Sequence, residues 1–425
     1  MKQLLYGLTF ITLVSFQSCK QEPKLVLENP LASERIDETV ILSRADVEKV
    51  TGPVAEGVAP IVKKGETILP SQADDINADG QWDELIFTMD FKASEKVALK
   101  IDLVPVSEYP TFEKRTNLRL GMPAGEEKWE EVDQAFAPAG LAGFPTIPQG
   151  EGVTWENDKF GFRVYFDCRN AKDLFGKLQP VMIADKVHTP EMGSYHELAD
   201  WGMDVLHCGS SLGAGGLAML ENDSLYRLGS TKVFEYQKIA EGPVRSVFEL
   251  KYKGWDVAGQ NLEAIEHVSI FPGKYWFQSD VTVSGFDGEK QLVTGIVTSK
   301  LTNEPVQFDV NADYKAIATL DVQSLNNDEL GMAVMLKKNE VSKIARTSNI
   351  NFYNLGYQTV PEKMFSNVIS DTYYVAQNIK NDVPARHYFY AVWGLENAKW
   401  KEIDNLKKYM GEEAEKLSNP IMISE

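Results

Sequence analysis

A short window of the sequence concentrates side chains that can move protons. Residues 195–216 hold His196 and His207, two of the five histidines in the chain, and His188 lies just upstream. The same window contains three carboxylates, Trp201 and a glycine-rich end that allows close backbone approach. Imidazoles and carboxylates are common general acids and bases. We therefore predict an active site here, and a buried polar turn between two strands is the alternative.

The three histidines are better candidates for acid–base chemistry than for metal binding. The spacing of His188, His196 and His207 matches no compact zinc pattern. His196 follows Tyr195 and precedes Trp201, so it is the first candidate for proton transfer, and His188 is the second. The alternative for each is a hydrogen-bonded structural histidine.

Three arginines stand where strands are expected to line a concave face: Arg163, Arg169 and Arg245. A guanidinium binds a carboxylate with two parallel hydrogen bonds, which suits a uronic acid. Trp201 offers an aromatic face on which a sugar ring can stack. The alternatives are solvent-facing ion pairs for the arginines and core packing for the tryptophan.

An aspartate-rich loop begins at Asp75. Oxygen donors occupy its first, third, fifth and ninth positions, and Gly80 occupies the sixth, as at the start of a calcium loop. The twelfth position is Ile86, so Glu84 would have to supply the closing ligand. The sequence predicts a structural calcium site or an empty Asx-rich turn, with these candidate ligands: Asp75, Asn77, Asp79, Asp83 and Glu84. No cofactor is predicted for catalysis.

The first 19 residues are typical of a bacterial lipoprotein signal. A basic start precedes an apolar run from Leu4 to Phe16, which is too short to span a bilayer, and Cys19 follows. We expect Cys19 to carry lipid and to anchor the protein to the outer membrane, facing the periplasm or the cell surface. A secreted protein cut elsewhere is the alternative.

Composition restricts the partners. The 43 Lys and Arg residues against 62 Asp and Glu give a formal net charge of −19, which argues against nucleic acid. No phosphate loop, dinucleotide fingerprint or nucleophile elbow is present. An anionic sugar remains compatible with a locally basic cleft.

The elements that must position these residues read as strands. Short alternating segments over residues 20–106 predict a small β-sandwich that carries the Asp-rich loop, and residues 107–150, rich in Pro, Gly and charge, predict a linker. Longer aromatic strands over residues 151–425 predict two packed antiparallel sheets. Apolar residues at helical spacing from Trp400 to Met410 predict a C-terminal helix, with Asn397 as its cap. The fold class is therefore mainly β.

Two segments resemble the signatures of a bacterial lipoprotein family encoded with polysaccharide-degrading enzymes. They are residues 70–85, with their Asp-Ile-Asn-Ala-Asp-Gly core, and residues 195–216; Gly242 to Ser246 is a third, shorter match. The resemblance covers nearly all of the mature chain. Within that family the chain is most similar to the ulvan oligosaccharide dehydratase of marine bacteria. The resemblance implies a galactose-mutarotase-like β-supersandwich for the large domain.

The resemblance also implies a reaction. It predicts removal of water from a saturated uronic acid at the non-reducing end of ulvan-type oligosaccharides, leaving a 4,5-unsaturated uronyl residue. Such chemistry needs a base for the C5 proton, an acid for the departing 4-hydroxyl and a cation for the carboxylate. The expected residues are His196 or His188 as base, Tyr195 or Tyr165 as acid, and, for substrate binding, Arg163, Arg169, Arg245, Trp201 and Asp204.

Three other functions remain open from the sequence. A polysaccharide lyase would use the same groups but would shorten the chain. A glycoside hydrolase would need two carboxylates across a cleft, such as Glu197 with Asp204 or Asp200. A non-catalytic glycan-binding lipoprotein would need only the aromatic residues.

Overall fold

The computed structural model describes residues 25–126, 128–137, 148–229, 231–348 and 368–424. Cys19 and the signal segment lie outside these ranges. Within them, no helix has both the length and the apolar composition that crossing a membrane requires.

The described chain is built mainly of strands, and every pairing between them is antiparallel. The elements up to residue 137 are β1 Leu25–Glu28, β2 Arg35–Ser43, α1 Arg44–Thr51, β3 Val58–Lys64, β4 Thr67–Ile68, β5 Ser71–Asp74, β6 Glu84–Phe91, β7 Lys96–Pro105, β8 Thr116–Arg119, β9 Gly121–Gly125, β10 Lys128–Glu131 and β11 Gln134–Ala137. The later elements are β12 Gly152–Asn157, β13 Phe160–Tyr165, β14 Lys172–Lys177, β15 Gly202–Asp204, β16 Ala214–Glu221, β17 Ser224–Arg227, β18 Val233–Glu241, β19 Ser246–Val257, β20 Gln260–Ile270, β21 Trp276–Ser284, β22 Glu289–Val297, β23 Val306–Asp309, β24 Tyr314–Val322, β25 Glu329–Lys337, β26 Val341–Arg346, β27 Thr372–Lys380, β28 Ala385–Trp393, α2 Ile403–Ser418 and β29 Met422–Ser424.

The N-terminal module is a small sandwich, as predicted. One sheet has the order β29-β1-β7-β3-β4 and the other has the order β2-β6-β5. Alternate residues of both sheets, with Val47 and Val50 of α1, bury a shared apolar core. Ser43 caps α1 by accepting a hydrogen bond from the Asp46 amide. The outermost strand, β29, comes from the C-terminus of the chain, so residues beyond α2 return to this module.

The large module consists of three sheets, two of which pack on the same face of the third. A nine-stranded sheet, β11-β18-β19-β20-β21-β28-β25-β24-β23, packs on two five-stranded sheets, β15-β14-β13-β12-β8 and β17-β16-β22-β27-β26. Strand β28 shows why both faces of the large sheet are covered. Its residues Phe389 and Trp393 enter the core between the sheets, whereas Tyr388 and Tyr390 pack towards α2. This agrees with the predicted mainly-β fold.

The C-terminal helix is also confirmed, although it begins later than its apolar pattern suggested. Asn397 accepts a hydrogen bond from the Lys399 amide and caps a short 3-10 turn, Ala398–Lys401. The α-helix proper starts at Ile403 and buries Leu406, Met410 and Ala414 against the nine-stranded sheet.

Residues 107–150 differ from the predicted linker. Strand β8 completes the sheet that carries β13 and β14, and β11 joins the edge of the nine-stranded sheet. Strands β9 and β10 form a separate hairpin. The many Pro and Gly residues predicted a connecting segment. The short strands β8 and β11 between them pair with strands β12 and β18, and local sequence does not reveal such long-range pairing.

A buried ion pair joins the two modules. Arg245, at the start of β19, donates from Nε at 2.9 Å and Nη2 at 2.6 Å to Asp74 Oδ2, and from Nη1 at 2.8 Å to Glu84. The Gln72 side-chain oxygen accepts the amides of Val244 and Arg245, each at 2.9 Å. Arg245 was therefore wrongly predicted as a substrate-binding residue, because its guanidinium is used within the protein.

Substituting Arg245 is expected to destabilise the fold. In Arg245→Ala, the buried Asp74 carboxylate loses its cation, and breaking such a pair costs about 3–5 kcal/mol. Arg386→Ala is the control, because the more exposed pair between Arg386 and Asp280 should contribute less than about 1 kcal/mol. Urea unfolding of both variants measures the difference, and equal losses would contradict the importance of the junction.

Candidate active site

A buried arginine lies at the centre of the predicted site. The Arg163 side chain is 1% exposed, and its Nη2 donates to Asp204 Oδ2 at 2.8 Å, to Tyr165 at 3.0 Å and to Asp173 Oδ2. Its Nη1 donates to the Gly150 carbonyl at 3.1 Å. Although burial opposes its charge, Tyr165 and the two aspartates raise the pKa of Arg163 well above its ordinary value. The guanidinium is therefore a fixed internal cation.

Three neighbouring strands bring these residues together. Arg163 and Tyr165 share one face of β13 because side chains alternate along a strand. Asp173 of β14 lies directly opposite Arg163. Asp204 ends β15, whose first residue, Gly202, has φ 132°, and a Cβ there would lie 1.8 Å from the Gly176 carbonyl oxygen. Only glycine allows β15 to approach β14 this closely.

The segment between β14 and β15 places His196 over this cluster. The Asp204 amide donates to the Tyr195 carbonyl at 2.8 Å, and the Tyr195 ring packs beside Phe175. His196 packs against Tyr195 with ring centroids 4.2 Å apart and the ring planes tilted by 44°. Its Nδ1 lies 3.5 Å from Asp204 Oδ2, and its side chain is 57% exposed. A carboxylate thus lies behind the imidazole while solvent reaches its other side.

The electrostatics keep His196 neutral and Tyr195 protonated. Burial and the Arg163 cation lower the pKa of His196. Burial raises the pKa of Tyr195. Burial and the neighbouring Asp173 raise the pKa of Asp204 well above its ordinary range. Near pH 7 the cluster therefore presents a neutral imidazole beside a protonated phenol, a base–acid pair.

The other two predicted catalytic residues occupy less direct positions. Tyr165 donates to Asp173 Oδ2 at 2.6 Å, so its proton is directed into the protein rather than towards solvent. His188 has φ 64°, and its buried Nδ1 has no hydrogen-bond partner among the described residues. Its ring lies 5.8 Å from that of Tyr195 and 5.1 Å from that of Trp129.

The two arginines at this site differ in accessibility. Arg169 is 21% exposed, and Asp167 holds it through Nε at 2.9 Å and Nη2 at 2.6 Å. Glu151 lies between the two arginines, 3.7 Å from each. Arg163 cannot bind a substrate directly as predicted, because two buried aspartates enclose it. Asp204 is likewise internal. Arg169 is the more exposed of the two arginines.

Trp201, predicted as a sugar platform, is partly buried. It packs against a small apolar cluster that contains Phe175, Ile183, Val187 and Tyr195, and so stabilises the segment that carries His196. Trp129, on the β9–β10 hairpin, is the aromatic residue next to His188.

Sequence reasoning missed Asp173, Glu151 and Trp129. A signal existed for Asp173, since a carboxylate beside Leu174 and Phe175 in a strand is unusual. Trp129 stands among glutamates in the hairpin, where an isolated aromatic residue also stands out. Glu151 has φ 66°, and no local pattern marks it.

The Asp-rich loop is closed by its own backbone. Asp75 accepts from the amides of Asp79 at 3.2 Å and Gly80 at 2.8 Å, and Asp83 accepts from the amides of Ile76 at 2.8 Å and Asn77 at 3.2 Å. Glu84 was expected as the closing calcium ligand but binds Arg245. Among the described residues, no three His, Cys, Asp or Glu side chains form a group that could hold a metal ion.

The strands and the buried cluster define a mainly-β sandwich protein with a candidate acid–base site. Residues 27–423 match the model of the family described as "Domain of unknown function (DUF4861)", and the chain belongs to this family. It is 26% identical to "Uncharacterized protein P7" of Formosa agariphila over 445 residues, which covers 99% of this chain and 98% of P7.

Two solved structures from Enterococcus faecalis are similar over 94% of this chain. One is an α-mannosidase of strain V583, with 8% identity and a TM-score of 0.40, and the other is a protein in glycosyl hydrolase family 38, with 8% identity and a TM-score of 0.41. The chain spans 45% and 47% of their respective lengths. Similarity this weak carries no argument about activity.

The pKa of His196 gives a direct test of the site geometry. We expect its imidazole to titrate below the ordinary value of about 6.5, because burial and Arg163 oppose its charge. Glu151→Gln should lower this pKa further, since the carboxylate favours the protonated ring. NMR of ¹³C-labelled histidine measures both values.

Glu191→Gln is the matched control, because Glu191 is exposed and lies in the same segment as His196. It should leave the titration unchanged. A His196 pKa at or above its ordinary value in the wild type, or equal shifts in both variants, would contradict the arrangement.

Proposed function

We propose that this protein is a carbohydrate-active dehydratase. Its substrate would be an oligosaccharide with a saturated uronic acid at the non-reducing end, as in ulvan fragments, and its product would carry a 4,5-unsaturated uronyl end. The observation that carries the proposal is the His196–Tyr195 pair, in which a neutral imidazole, with Asp204 behind it, packs at 44° to a protonated phenol.

The reaction assigns one proton to each member of the pair. His196 removes the C5 proton, and the electron pair left at C5 forms the C4–C5 double bond as the 4-hydroxyl departs. Tyr195 protonates that hydroxyl, which leaves as water. Because His196 is 57% exposed, it can return its proton to solvent, which can then reprotonate Tyr195.

The substrate carboxylate needs a cation, since proton removal at C5 spreads negative charge onto it. Arg169 fits this role better than Arg163, because 21% of its side chain is exposed compared with 1%. Arg163 would not contact the substrate. It would hold Asp204 in place and make the electrostatic potential around His196 more positive. Trp129 and His188 would border the sugar.

The geometry supports a hydrolase less well. Asp204, which a two-carboxylate mechanism would use, is buried and bonded to Arg163. Glu197 and Asp200 are exposed. A polysaccharide lyase would use the same base and acid, so the products must distinguish it from a dehydratase.

The deciding experiment follows ultraviolet absorbance and product mass together. The chain starting after Cys19 is incubated with ulvan oligosaccharides that carry a saturated terminal uronate. We expect absorbance to rise as the product loses one water without shortening. Shorter products would establish a lyase, and no change in absorbance or mass would refute the proposal.

His196→Ala and Tyr195→Phe are each expected to lower kcat by about 10²–10⁴-fold, because each removes a proton-transfer group. His267→Ala is the control, since this exposed histidine pairs with Glu249 on the nine-stranded sheet and should retain full activity. Circular dichroism confirms that each variant is folded. Wild-type turnover in both site variants would exclude the assigned roles.

We further propose that lipid on Cys19 anchors the protein to the outer membrane. Cys19→Ser should abolish palmitate labelling and release the protein from the membrane fraction, whereas Cys168→Ser should change neither, because Cys168 is a buried cysteine of the large module. Labelled, membrane-bound Cys19→Ser protein would show that the anchor lies elsewhere.

A further inference from the structure

A cavity of about 600 Å³ lies at the junction of the two modules, and none of its lining residues belongs to the candidate active site. Strand β5 and residues 241–243 of the large module line it, together with parts of the Asp-rich loop, Val106 and residues 109–112. Its volume lies within the range of small-molecule binding sites.

The cavity is formed by groups that are already held in place. The Gln72 oxygen accepts the amides that follow Pro243, which fixes the two modules on either side of it. The Tyr109 hydroxyl lies 2.9 Å from the Ser71 hydroxyl. The Asp75 side chain holds the amides of its own loop. A ligand would therefore meet a largely preorganised site.

The lining of the cavity contains both aromatic side chains and hydrogen-bond acceptors. Tyr109 and Phe112 meet edge to face, with ring centroids 6.4 Å apart, and Trp82 lies beneath the Arg44 guanidinium at 5.2 Å. Asp75, Glu241 and the amide of Gln81 contribute polar atoms. Aromatic carbon beside a few oriented polar groups is the combination that binds a ring with both C–H faces and hydroxyl groups.

The charged groups of the lining are already engaged, which disfavours a charged ligand. Of the four acidic lining residues, Asp74 binds Arg245, Glu241 pairs with Lys114 and Lys238, and Asp75 holds the amides of its own loop, while Arg44 is the single basic lining residue among the described ones. Each of its guanidinium nitrogens is engaged: Nε with Glu48 at 3.0 Å, Nη1 with Gln81 at 2.9 Å and Nη2 with the Val54 carbonyl at 3.0 Å. A uronate or sulfate group would find no available cation there, whereas sugar hydroxyls can donate to the carboxylates.

We infer that this cavity binds a neutral sugar residue, separately from the His196 site. The inference does not depend on the proposed dehydratase reaction. Binding of an uncharged sugar residue of a glycan in this cavity would keep the protein attached to the polysaccharide while the large module acts on acidic chain ends.

Isothermal titration calorimetry with neutral disaccharides, such as xylobiose and cellobiose, tests the inference on the chain starting after Cys19. We expect saturable binding of at least one of them by the wild type, and the same affinity in His196→Ala. Glucuronic acid should not compete at this site.

Two variants locate the binding. Phe112→Ala removes one aromatic wall, and Ala55→Trp fills the cavity from an exposed position without removing a core side chain. Each should weaken binding at least about tenfold, as loss of a central aromatic contact does. Ala93→Trp is the control, an exposed turn of the same module outside the cavity, and should bind as the wild type.

Any of three results would overturn the inference. The first is that neither neutral disaccharide binds, and the second is that Ala55→Trp binds the disaccharide as tightly as the wild type. The third is that a charged compound, glucuronic acid or an amine, displaces the disaccharide from the cavity. Because Ala55 is exposed, we expect Ala55→Trp to unfold at the same temperature as the wild type, and thermal denaturation of both proteins separates a loss of binding from unfolding.

Discussion

The charge of Arg163 is the constraint on which the candidate site depends. An arginine that is 1% exposed must be neutralised and hydrogen-bonded, because an isolated buried charge is very costly. Asp173, Asp204 and Tyr165 supply those contacts from three strands and so fix the spacing of β13, β14 and β15. The same charge lowers the pKa of His196. One buried cation therefore fixes the local structure and, together with burial, lowers the pKa of the candidate base.

The sequence predicted which segment carries the candidate site, but it did not predict which side chains bond to one another there. Rare residue types identified Tyr195, His196 and His188, because histidines clustered beside an aromatic residue are recognisable without a structure. Arg163 and Arg245 were predicted to bind the substrate, because the sequence of a strand does not show whether an arginine side chain bonds to a sugar or to an aspartate. Asp173 and Asp74 decide that question, and each contact joins strands that only the fold brings together.

A similar limit applies to the architecture. Period-two alternation predicted the sandwiches, and the spacing of Trp400, Leu406 and Met410 predicted the helix, because both patterns are local. The return of β29 to the first module and the pairing of β8 and β11 with distant strands leave no local pattern. Proline and glycine in residues 107–150 marked chain reversals, yet reversals also flank short strands. Long-range pairing decides between these possibilities.

The distribution of charge separates what the two regions can bind. Around His196, two arginines, Arg163 and Arg169, face four carboxyl groups, Asp173, Asp204, Asp167 and Glu151, so the site is formally acidic, and the raised pKa of Asp204 makes it less so. The exposed 21% of the Arg169 side chain is the cationic surface that an acidic sugar can meet there. Around Trp82 the charged groups are engaged within the protein, Arg44 with Glu48 and Gln81, and Asp74 with Arg245. A polymer that carries both charged and uncharged sugars therefore offers a unit suited to each region.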